Sequence, residues 1–260
     1  MLLKFYKNRF KCCQITLMIF FATTVWSQEQ TASHGNNSYF SIGMAFVSSD
    51  PVYINTNRSA RLIPFLSFES TNLRLNLREG ATYKAIVEKD YSIEVSLLPN
   101  FQPYKSSDSI SLDGMDRALT LDGSMSFSYS FKRGLDVNLE TATELSNQFE
   151  GHMVDLSLSQ FIPIFGIPCV LKGGAKWSDQ NRAQYFYGVE DDEERIGRLA
   201  YEVGSIIIPY YSVNVFYSLD SDTTLFANLN SQFLPSKVFN SPIVEKESST
   251  NLVLGIGYSF

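Results

Sequence analysis

Residues 119–131 read LTLDGSMSFSYSF, and this stretch alternates apolar side chains with small or polar ones at a period of two. Successive side chains of an extended strand point to opposite faces, so the segment has one apolar face and one polar face. It is roughly twice as long as the usual strand of a globular protein, which has about five or six residues. A tilted strand of about 9–11 residues spans a bilayer. The stretch therefore predicts a long amphipathic strand of the kind that crosses a membrane.

The same alternation recurs after residue 38 and, with turn signals between the runs, predicts twelve strands. They are 39–47, 61–69, 71–78, 82–87, 90–98, 118–131, 134–146, 152–161, 168–178, 203–218, 222–232 and 249–260. Tight turns alternate with mostly longer loops along this series, as in outer-membrane barrels, where the short turns are periplasmic. The sequence therefore predicts an all-β protein, a transmembrane antiparallel up-and-down β-barrel of about 12 strands.

The composition excludes several classes of protein. Of 260 residues, 44% are hydrophobic, 14% aromatic and only 18% charged, which is the opposite of a disordered chain. A mean hydropathy of −0.07 argues against a bundle of apolar membrane helices. The formal net charge of −6 argues against a nucleic-acid partner, because such proteins need a basic surface. A soluble β-sandwich also fits these figures, but strand length and the order of the connections favour the barrel.

The first residues have the pattern of a secretory signal peptide. Four basic residues precede an apolar run at 15–26, and small residues suit cleavage after Ser27. We therefore predict a signal peptide at 1–27, a disordered N-terminal segment at 28–38 and an outer-membrane β-barrel domain at 39–260. Cleavage removes the four positive charges and takes the net charge from −6 to −10.

Charged residues on the polar face of the predicted strands are candidates for the lining of a lumen. They are Asp122, Asp136, Glu140, Glu144 and Lys172. In a barrel this face is wet, and a majority of carboxylates would favour cations if the lumen conducts. The alternative is that these side chains pair with one another and fill a narrow interior. Twelve strands are compatible with both arrangements.

The sequence offers little catalytic chemistry. His152 lies near Asp155 and Ser157, but this spacing does not define a nucleophile with its base, and no G-x-S-x-G motif is present. The acidic run at 190–194 lacks the spaced ligands of a calcium loop and predicts a solvated loop. We therefore predict a protein that is not an enzyme, with no catalytic residue, no metal site and no cofactor.

Short motifs in four places, spread along the chain, carry a resemblance to a known family. They are L-D-G-M-D with Leu112, Gly114, Met115 and Asp116, then Y-F-Y-G-V with Tyr185, Tyr187, Gly188 and Val189, then S-P-I-V with Ser241, Pro242 and Val244, and finally G-I-G-Y-S-F with Gly257, Tyr258 and Phe260. With these motifs the sequence resembles the MipA/OmpV family, the MltA-interacting outer-membrane proteins of Gram-negative bacteria. The resemblance covers roughly residues 39–260.

The resemblance implies a barrel of the cell outer membrane that brings no catalytic residues with it. The family's named member is taken as a scaffold that joins a lytic transglycosylase to a peptidoglycan synthase; other members are discussed as adhesins, antigens or small-solute pores. We therefore predict a non-enzymatic structural or scaffold role linked to murein synthesis and hydrolysis. The alternative is an outer-membrane channel for small solutes or cations. Expected partners are outer-membrane lipid, the barrel-assembly machinery through the terminal Phe260, and the murein-synthesising and murein-hydrolysing enzymes.

The position of the motifs conflicts with the scaffold role. Three of the four fall in connections on the long-loop side, which faces outward, whereas a scaffold for murein enzymes is recognised from the periplasm. Either these loops fold into the lumen as a plug, or the scaffold role does not transfer to this chain. We favour loops that cluster together at the mouth of the barrel.

Overall fold

The computed structural model describes residues 38–77, 79–101 and 103–260. The predicted signal peptide at 1–27 and all but the last residue of the predicted segment at 28–38 lie outside this range. Within it the chain forms twelve strands and two short α-helices, α1 (Gln180–Tyr187) and α2 (Ser236–Phe239). No helix in the described residues has the length and apolar character needed to cross a membrane.

The strands follow the predicted series closely. They are β1 (Tyr39–Ser49), β2 (Ser59–Glu69), β3 (Leu73–Asn76), β4 (Gly80–Val87), β5 (Tyr91–Asn100), β6 (Thr120–Phe131), β7 (Leu135–Glu144), β8 (His152–Ile164), β9 (Ile167–Ser178), β10 (Ile206–Ser218), β11 (Thr223–Phe233) and β12 (Ser248–Ser259). Each strand pairs with its neighbours in sequence, and β1 pairs antiparallel with β12 to close the barrel. The prediction of a twelve-stranded up-and-down barrel is confirmed.

The barrel carries its apolar side chains outside and its polar ones inside. In β6, Met125 is 57% exposed on the outer face, whereas Asp122 is 2% exposed on the inner face. The same alternation of exposed apolar and buried polar residues runs through the other long strands. Because this is the reverse of a soluble barrel, the outer face is stable only against lipid.

Two aromatic rings fill one side of the lumen. Phe65 of β2 and Phe226 of β11 meet edge to face with their ring centroids 5.6 Å apart. The rings lie on glycines of the closing strands, since a Cβ added to Gly255 would sit 2.0 Å from Cζ of Phe226 and one added to Gly43 would sit 2.1 Å from Cζ of Phe65. The glycines of β1 and β12 therefore make room for an apolar filling inside a mostly polar lumen.

At one end of the barrel, five of the six connections are longer than any turn at the other end, as the sequence predicts, and the exception is the three-residue connection at 77–79. The short turns are 70–72, 88–90, 132–134, 165–166 and 219–222, at the end of the barrel that holds Tyr39 and Phe260. The opposite end holds loop 1 (50–58), loop 2 (77–79), loop 3 (101–119), loop 4 (145–151), loop 5 (179–205) and loop 6 (234–247). The short-turn end is periplasmic and the loop end is extracellular.

The β3–β4 hairpin is shorter than its neighbours and leaves a notch in the wall. The predicted strand at 71–78 is only Leu73–Asn76, and beyond its ladder with β2 the Leu77 N–H donates to the Leu66 carbonyl at 3.4 Å. Among the described residues, Ser59–Pro64 pair with β1 on one side and with no strand on the other. The wall between β2 and β5 is therefore lowest above loop 2.

A proline lies on each of the two strands that border this notch. Backbone groups of a strand alternate in direction, so Pro64, two residues from Leu66, has its missing N–H on the open side. On β5, the Tyr91 carbonyl accepts from the Glu88 N–H and so points to the β4 side. Pro99 is an even number of residues from Tyr91, so its backbone groups point to the same side. In both strands, the proline, which has no backbone N–H, therefore faces the side where no partner strand would accept a hydrogen bond.

Candidate functional site

Loops 1, 3, 5 and 6 pack into one hydrophobic core above the lumen, which we call the mouth plug. Its buried members are Val52, Tyr53, Tyr104, Leu112, Met115, Ala183, Val189, Val203, Leu234, Val238, Ile243 and Val244, together with Ile206 and Ile208 of β10. Leu112, Met115, Val238 and Ile243 are 0% exposed. The plug is a packed interior built entirely at the extracellular end.

Helix α1 is fixed at both ends by its sequence. The Asp179 carboxylate caps it by accepting from the Arg182 N–H at 2.9 Å, and it also accepts from the His152 N–H of β8 at 2.9 Å. At the other end, the Gly188 N–H donates to the Gln184 carbonyl at 2.7 Å. The helix therefore delivers the motif at 185–189 into the plug in one orientation.

The motif at 112–116 folds loop 3 and docks it on loop 5. Leu112 and Met115 point into the core, and the Asp116 carboxylate accepts from the Ser106 N–H at 2.9 Å. Gly114 has a φ of +79°, and a Cβ there would lie 2.1 Å from an Arg195 guanidinium nitrogen. The positive φ favours glycine here, whereas the half-exposed Arg195 side chain is flexible and can move away from a Cβ.

The motifs at 185–189 and 241–244 meet each other. The Ser241 hydroxyl donates to the Tyr187 carbonyl at 2.6 Å, and Val189 lies in the same core as Val244. Half-buried Pro242 precedes Ile243, whose carbonyl accepts from the loop 1 backbone. Burial raises the pKa of the Tyr187 phenol to about 12, so the ring enters the plug uncharged.

The fourth motif lies at the opposite end. Gly257 leaves space for the Phe65 ring, since a Cβ added to this glycine would lie 3.0 Å from Cζ of Phe65. Tyr258 and Phe260 face outward with their ring centroids 4.9 Å apart. The Phe260 N–H donates to the Phe40 carbonyl at 2.9 Å. This motif closes the barrel and contributes to its periplasmic aromatic girdle.

A buried ion pair joins loops 3 and 5. Arg117 donates to both carboxylate oxygens of Glu193 at 2.6 and 3.0 Å and lies over the Tyr104 and Tyr185 rings at 5.6 and 5.3 Å. Burial alone would raise the pKa of Glu193, but the Arg117 hydrogen bonds and the Glu190 N–H hold it below its ordinary value. The sequence prediction of a solvated acidic run is thus wrong for Glu193, whose partner lies 76 residues away.

A second buried arginine connects loops 3 and 5 by hydrogen bonds to backbone carbonyls. Arg198 donates to the carbonyls of Ser111 at 2.8 Å, Asp113 at 3.1 Å and Glu193 at 2.7 Å. Sequence reasoning did not single out Arg117 or Arg198, because each acts on a partner in another part of the chain.

All five predicted lumen charges lie on strands and point inward, but two of them anchor loops. Asp122 pairs with Arg182 of α1 at 2.8 Å, which ties the helix to the wall. Glu144 accepts from the backbone N–H groups of Gln148 at 3.1 Å and Glu150 at 3.2 Å, which folds loop 4. Asp122 and Glu144 therefore have structural partners at the top of the barrel.

Asp136, Glu140 and Lys172 lie deeper in the lumen. Asp136 is buried, and Glu140 is paired in register with Asp155 of β8. Below the plug is a cavity of about 200 Å³, lined by Asp155, Lys172, Lys176, Ile208, Tyr210, Asn230 and Gln232. The Tyr210 hydroxyl reaches across β9 to the Asp155 carboxylate at 2.9 Å. The lumen retains a polar chamber with charges of both signs.

The hydrolase arrangement considered from the sequence is not assembled. The His152 imidazole shares a hydrogen bond with the Thr143 hydroxyl at 3.0 Å, and Asp155 is bound by Tyr210. In the described part of the chain, no group of three or more histidine, cysteine or acidic side chains could hold a metal ion.

Comparison with known proteins identifies the family. The family described as MltA-interacting protein MipA matches residues 42–260. The chain belongs to this family. It is 22% identical to a putative outer membrane protein, YiaT, of Escherichia coli K12 over 228 residues, which are 86% of this chain and 92% of that protein. It is also 22% identical to the MltA-interacting protein of the same strain over 229 residues, with coverage of 85% and 90%.

Solved structures similar to this chain include outer-membrane barrels. Outer-membrane expressed OmpT of Vibrio cholerae has a TM-score of 0.43 and 8% identity, with 86% of this chain and 97% of that chain covered. The toluene transporter TbuX of Ralstonia pickettii has a TM-score of 0.40 and 9% identity, with coverage of 86% and 89%. From its family and its lipid-facing exterior, this chain is a β-barrel protein of the cell outer membrane.

Proposed function

We propose that this chain is a non-enzymatic outer-membrane protein with a structural or scaffold role linked to the machinery of murein synthesis and hydrolysis. The observation that carries the proposal is the mouth plug, in which residues of the motifs at 112–116, 185–189 and 241–244 lie in one packed core at the extracellular end. The name of the MltA-interacting protein of Escherichia coli supports association with a murein enzyme. In this role the plug closes the extracellular end, and partner contacts come from the periplasmic end.

The test is direct binding of a purified MltA-type lytic transglycosylase to the barrel in lipid nanodiscs, measured by surface plasmon resonance. We expect saturable binding from the periplasmic face. Absence of binding by the wild-type barrel contradicts the scaffold role. Parallel assays in which His152→Ala leaves lipid and ester turnover at the background level support the non-enzymatic part of the proposal.

Two further partners follow from the outer surface and the last strand. The apolar exterior contacts outer-membrane lipid, and the terminal Phe260, 71% exposed at the periplasmic end of β12, is the candidate signal for the barrel-assembly machinery. Removing Phe260 is expected to reduce insertion, seen as loss of the heat-modifiable band on a gel. A deletant that inserts as well as the wild type would contradict this assignment.

The second candidate is a channel for small solutes or cations, and the lumen chamber of about 200 Å³ is the observation in its favour. The plug lies across the extracellular entrance to that chamber, so conduction requires the loops to move. Single-channel recordings distinguish the two roles: a silent wild-type barrel favours the scaffold, and steady conductance favours the channel.

A further inference from the structure

One periplasmic turn differs from the other four in chemistry. The turns at 70–72, 88–90, 132–134 and 219–222 consist mainly of polar or charged residues, with Lys132 and Arg133 in one and Asp220 and Asp222 in another. The β8–β9 hairpin instead ends in Ile-Pro-Ile-Phe-Gly-Ile-Pro at 162–168, which we call the apolar tip. Phe165 is 100% exposed, and Ile162 and Ile164 are 36% and 45% exposed.

The apolar tip has a conformational cost for its phenylalanine. Ile164 pairs with Ile167, so Phe165 and Gly166 form a two-residue turn, with φ values of 51° and 79°. Positive φ at both positions is the turn geometry that favours Asn-Gly, and a bulky side chain is unusual there. Because Phe165 also packs into no core, its presence is not explained by the stability of the hairpin.

The depth of the apolar tip indicates that it is not buried in the hydrocarbon layer. The Phe161 N–H donates to the Gly134 carbonyl at 3.0 Å, so the β8–β9 hairpin continues past the basic turn that precedes it. On the other side, the β9–β10 ladder pairs Cys169 with Val215, and continuing this register places Ser218 level with Gly166. The acidic turn at 219–222 therefore begins at the depth of Phe165. Charged side chains stay in water or among lipid headgroups, so the tip between them does the same.

We infer that the apolar tip is the docking element of this barrel for a soluble periplasmic protein. The surface has an exposed aromatic anchor at its centre, a basic turn on one side and an acidic turn on the other, which matches the arrangement of an apolar centre with a charged rim. The complementary partner has an apolar pocket between an acidic and a basic patch. This inference rests on the proposed scaffold role, and it locates the periplasmic contact that the mouth plug does not provide.

The test uses the nanodisc-bound full barrel and a purified MltA-type lytic transglycosylase as the probe. Phe165→Asn is expected to weaken binding about 30-fold, the effect of removing a central aromatic anchor, while giving the turn its preferred residue. Phe165→Trp keeps the anchor and is expected to bind within about threefold of the wild type. Val87→Asn, at an exposed apolar position beside the β4–β5 turn, is the matched control and leaves the affinity unchanged.

The outcomes separate the inference from the proposed function. A wild-type barrel that does not bind the probe contradicts the scaffold role and the inference with it. Wild-type binding that Phe165→Asn leaves intact overturns the inference alone. Since Phe165→Asn favours the turn, loss of binding is not a folding defect, and unchanged heat-modifiable migration checks this.

A second measurement examines the lipid alternative. The double variant Phe165→Trp/Trp177→Phe has one tryptophan after the predicted signal peptide, at the apolar tip. The fluorescence of this tryptophan reports on the surroundings of the tip. We expect emission typical of a hydrated indole that changes when the probe binds and is not quenched by lipids brominated on their acyl chains. Strong quenching by these lipids in the absence of probe would show that the tip is a membrane anchor, and would overturn docking.

Discussion

The two ends of the barrel use apolar side chains in opposite ways. At the extracellular end Leu112 is 0% exposed, within a core drawn from four loops, whereas at the periplasmic end Phe165 is 100% exposed on a two-residue turn. At the mouth, Arg117 and Glu193 form a buried ion pair, whereas the charged side chains of the turns are exposed to water. The difference teaches that the long loops of this protein form a folded unit, whereas the short turns are exposed and accessible to other molecules in the periplasm.

Arg117→Ala is expected to have the largest effect on the difference between the two ends, because it destabilises the folded loops of the mouth. The change leaves the Glu193 carboxylate buried without its partner, and loss of one member of such a pair costs about 4 kcal/mol. Hydrogen exchange of the amides in loops 3 and 5 should rise accordingly. The control is Arg195→Ala, which removes an ion pair between the same loops whose side chains are at least half exposed. Its effect should be much smaller, because water screens an exposed pair. Equal effects of the two substitutions would contradict the distinction.

Leu112→Ala tests whether the plug unfolds separately from the wall. Deleting a fully buried leucine costs about 3 kcal/mol. We expect faster proteolysis of loops 3, 5 and 6 with unchanged heat-modifiable migration, because β-strand pairing does not depend on the plug. Leu156→Ala, on the lipid-facing side of β8, should leave loop proteolysis at the wild-type rate. A Leu112→Ala barrel that loses its folded band would show that plug and wall are one cooperative unit.

Acidification should loosen the mouth through Glu193, by less than the removal of Arg117. The pKa of Glu193 is lower in the folded protein than in the unfolded chain, so its ionised form stabilises the plug above the unfolded value of about 4.3. This contribution is lost as the pH falls through the folded pKa. Loop proteolysis by an acid-active protease, followed from pH 6 to pH 3, should show a step that is absent in Glu193→Gln. An identical step in that variant would assign it to other carboxylates.

Phe165→Asn should have the smallest effect on stability and the opposite sign. Relief of a left-handed conformation at a bulky residue is worth about 1 kcal/mol. We expect a higher urea midpoint for the barrel in detergent micelles. A lower midpoint would mean that the Phe165 side chain contributes to the fold, and would bring the periplasmic end closer in character to the mouth.

The wall of this barrel is predictable from sequence because its signal is local. Alternation at a period of two, as in residues 119–131, is set by the pleat of each strand and needs no knowledge of distant residues. The largest error falls at β3, predicted as 71–78 and observed as Leu73–Asn76. Its hydrophobic alternation continues past the point where the short hairpin turns, so pattern alone extends the strand too far.

The plug was only partly predictable because its energetics are not local. The motifs at 112–116, 185–189 and 241–244 point to loops at one end, but the partners that fix them are far apart in the chain. Glu193 sits in an acidic run that predicts solvation, and only the folded structure brings Arg117 to it. Likewise, nothing in the sequence near Asp122 indicates that Arg182 of α1 will pair with it.

The prolines beside loop 2 have a consequence for contacts between copies of this protein. An open strand edge normally attracts another strand, because its amide and carbonyl groups form a ready template for pairing. Here Pro64 and Pro99 each remove a backbone donor from the strand edge to which a strand of a second copy would pair. A lost backbone hydrogen bond costs about 1 kcal/mol. Edge-to-edge pairing of two copies at the notch is therefore disfavoured, and the shortest part of the wall is a poorer template for aggregation.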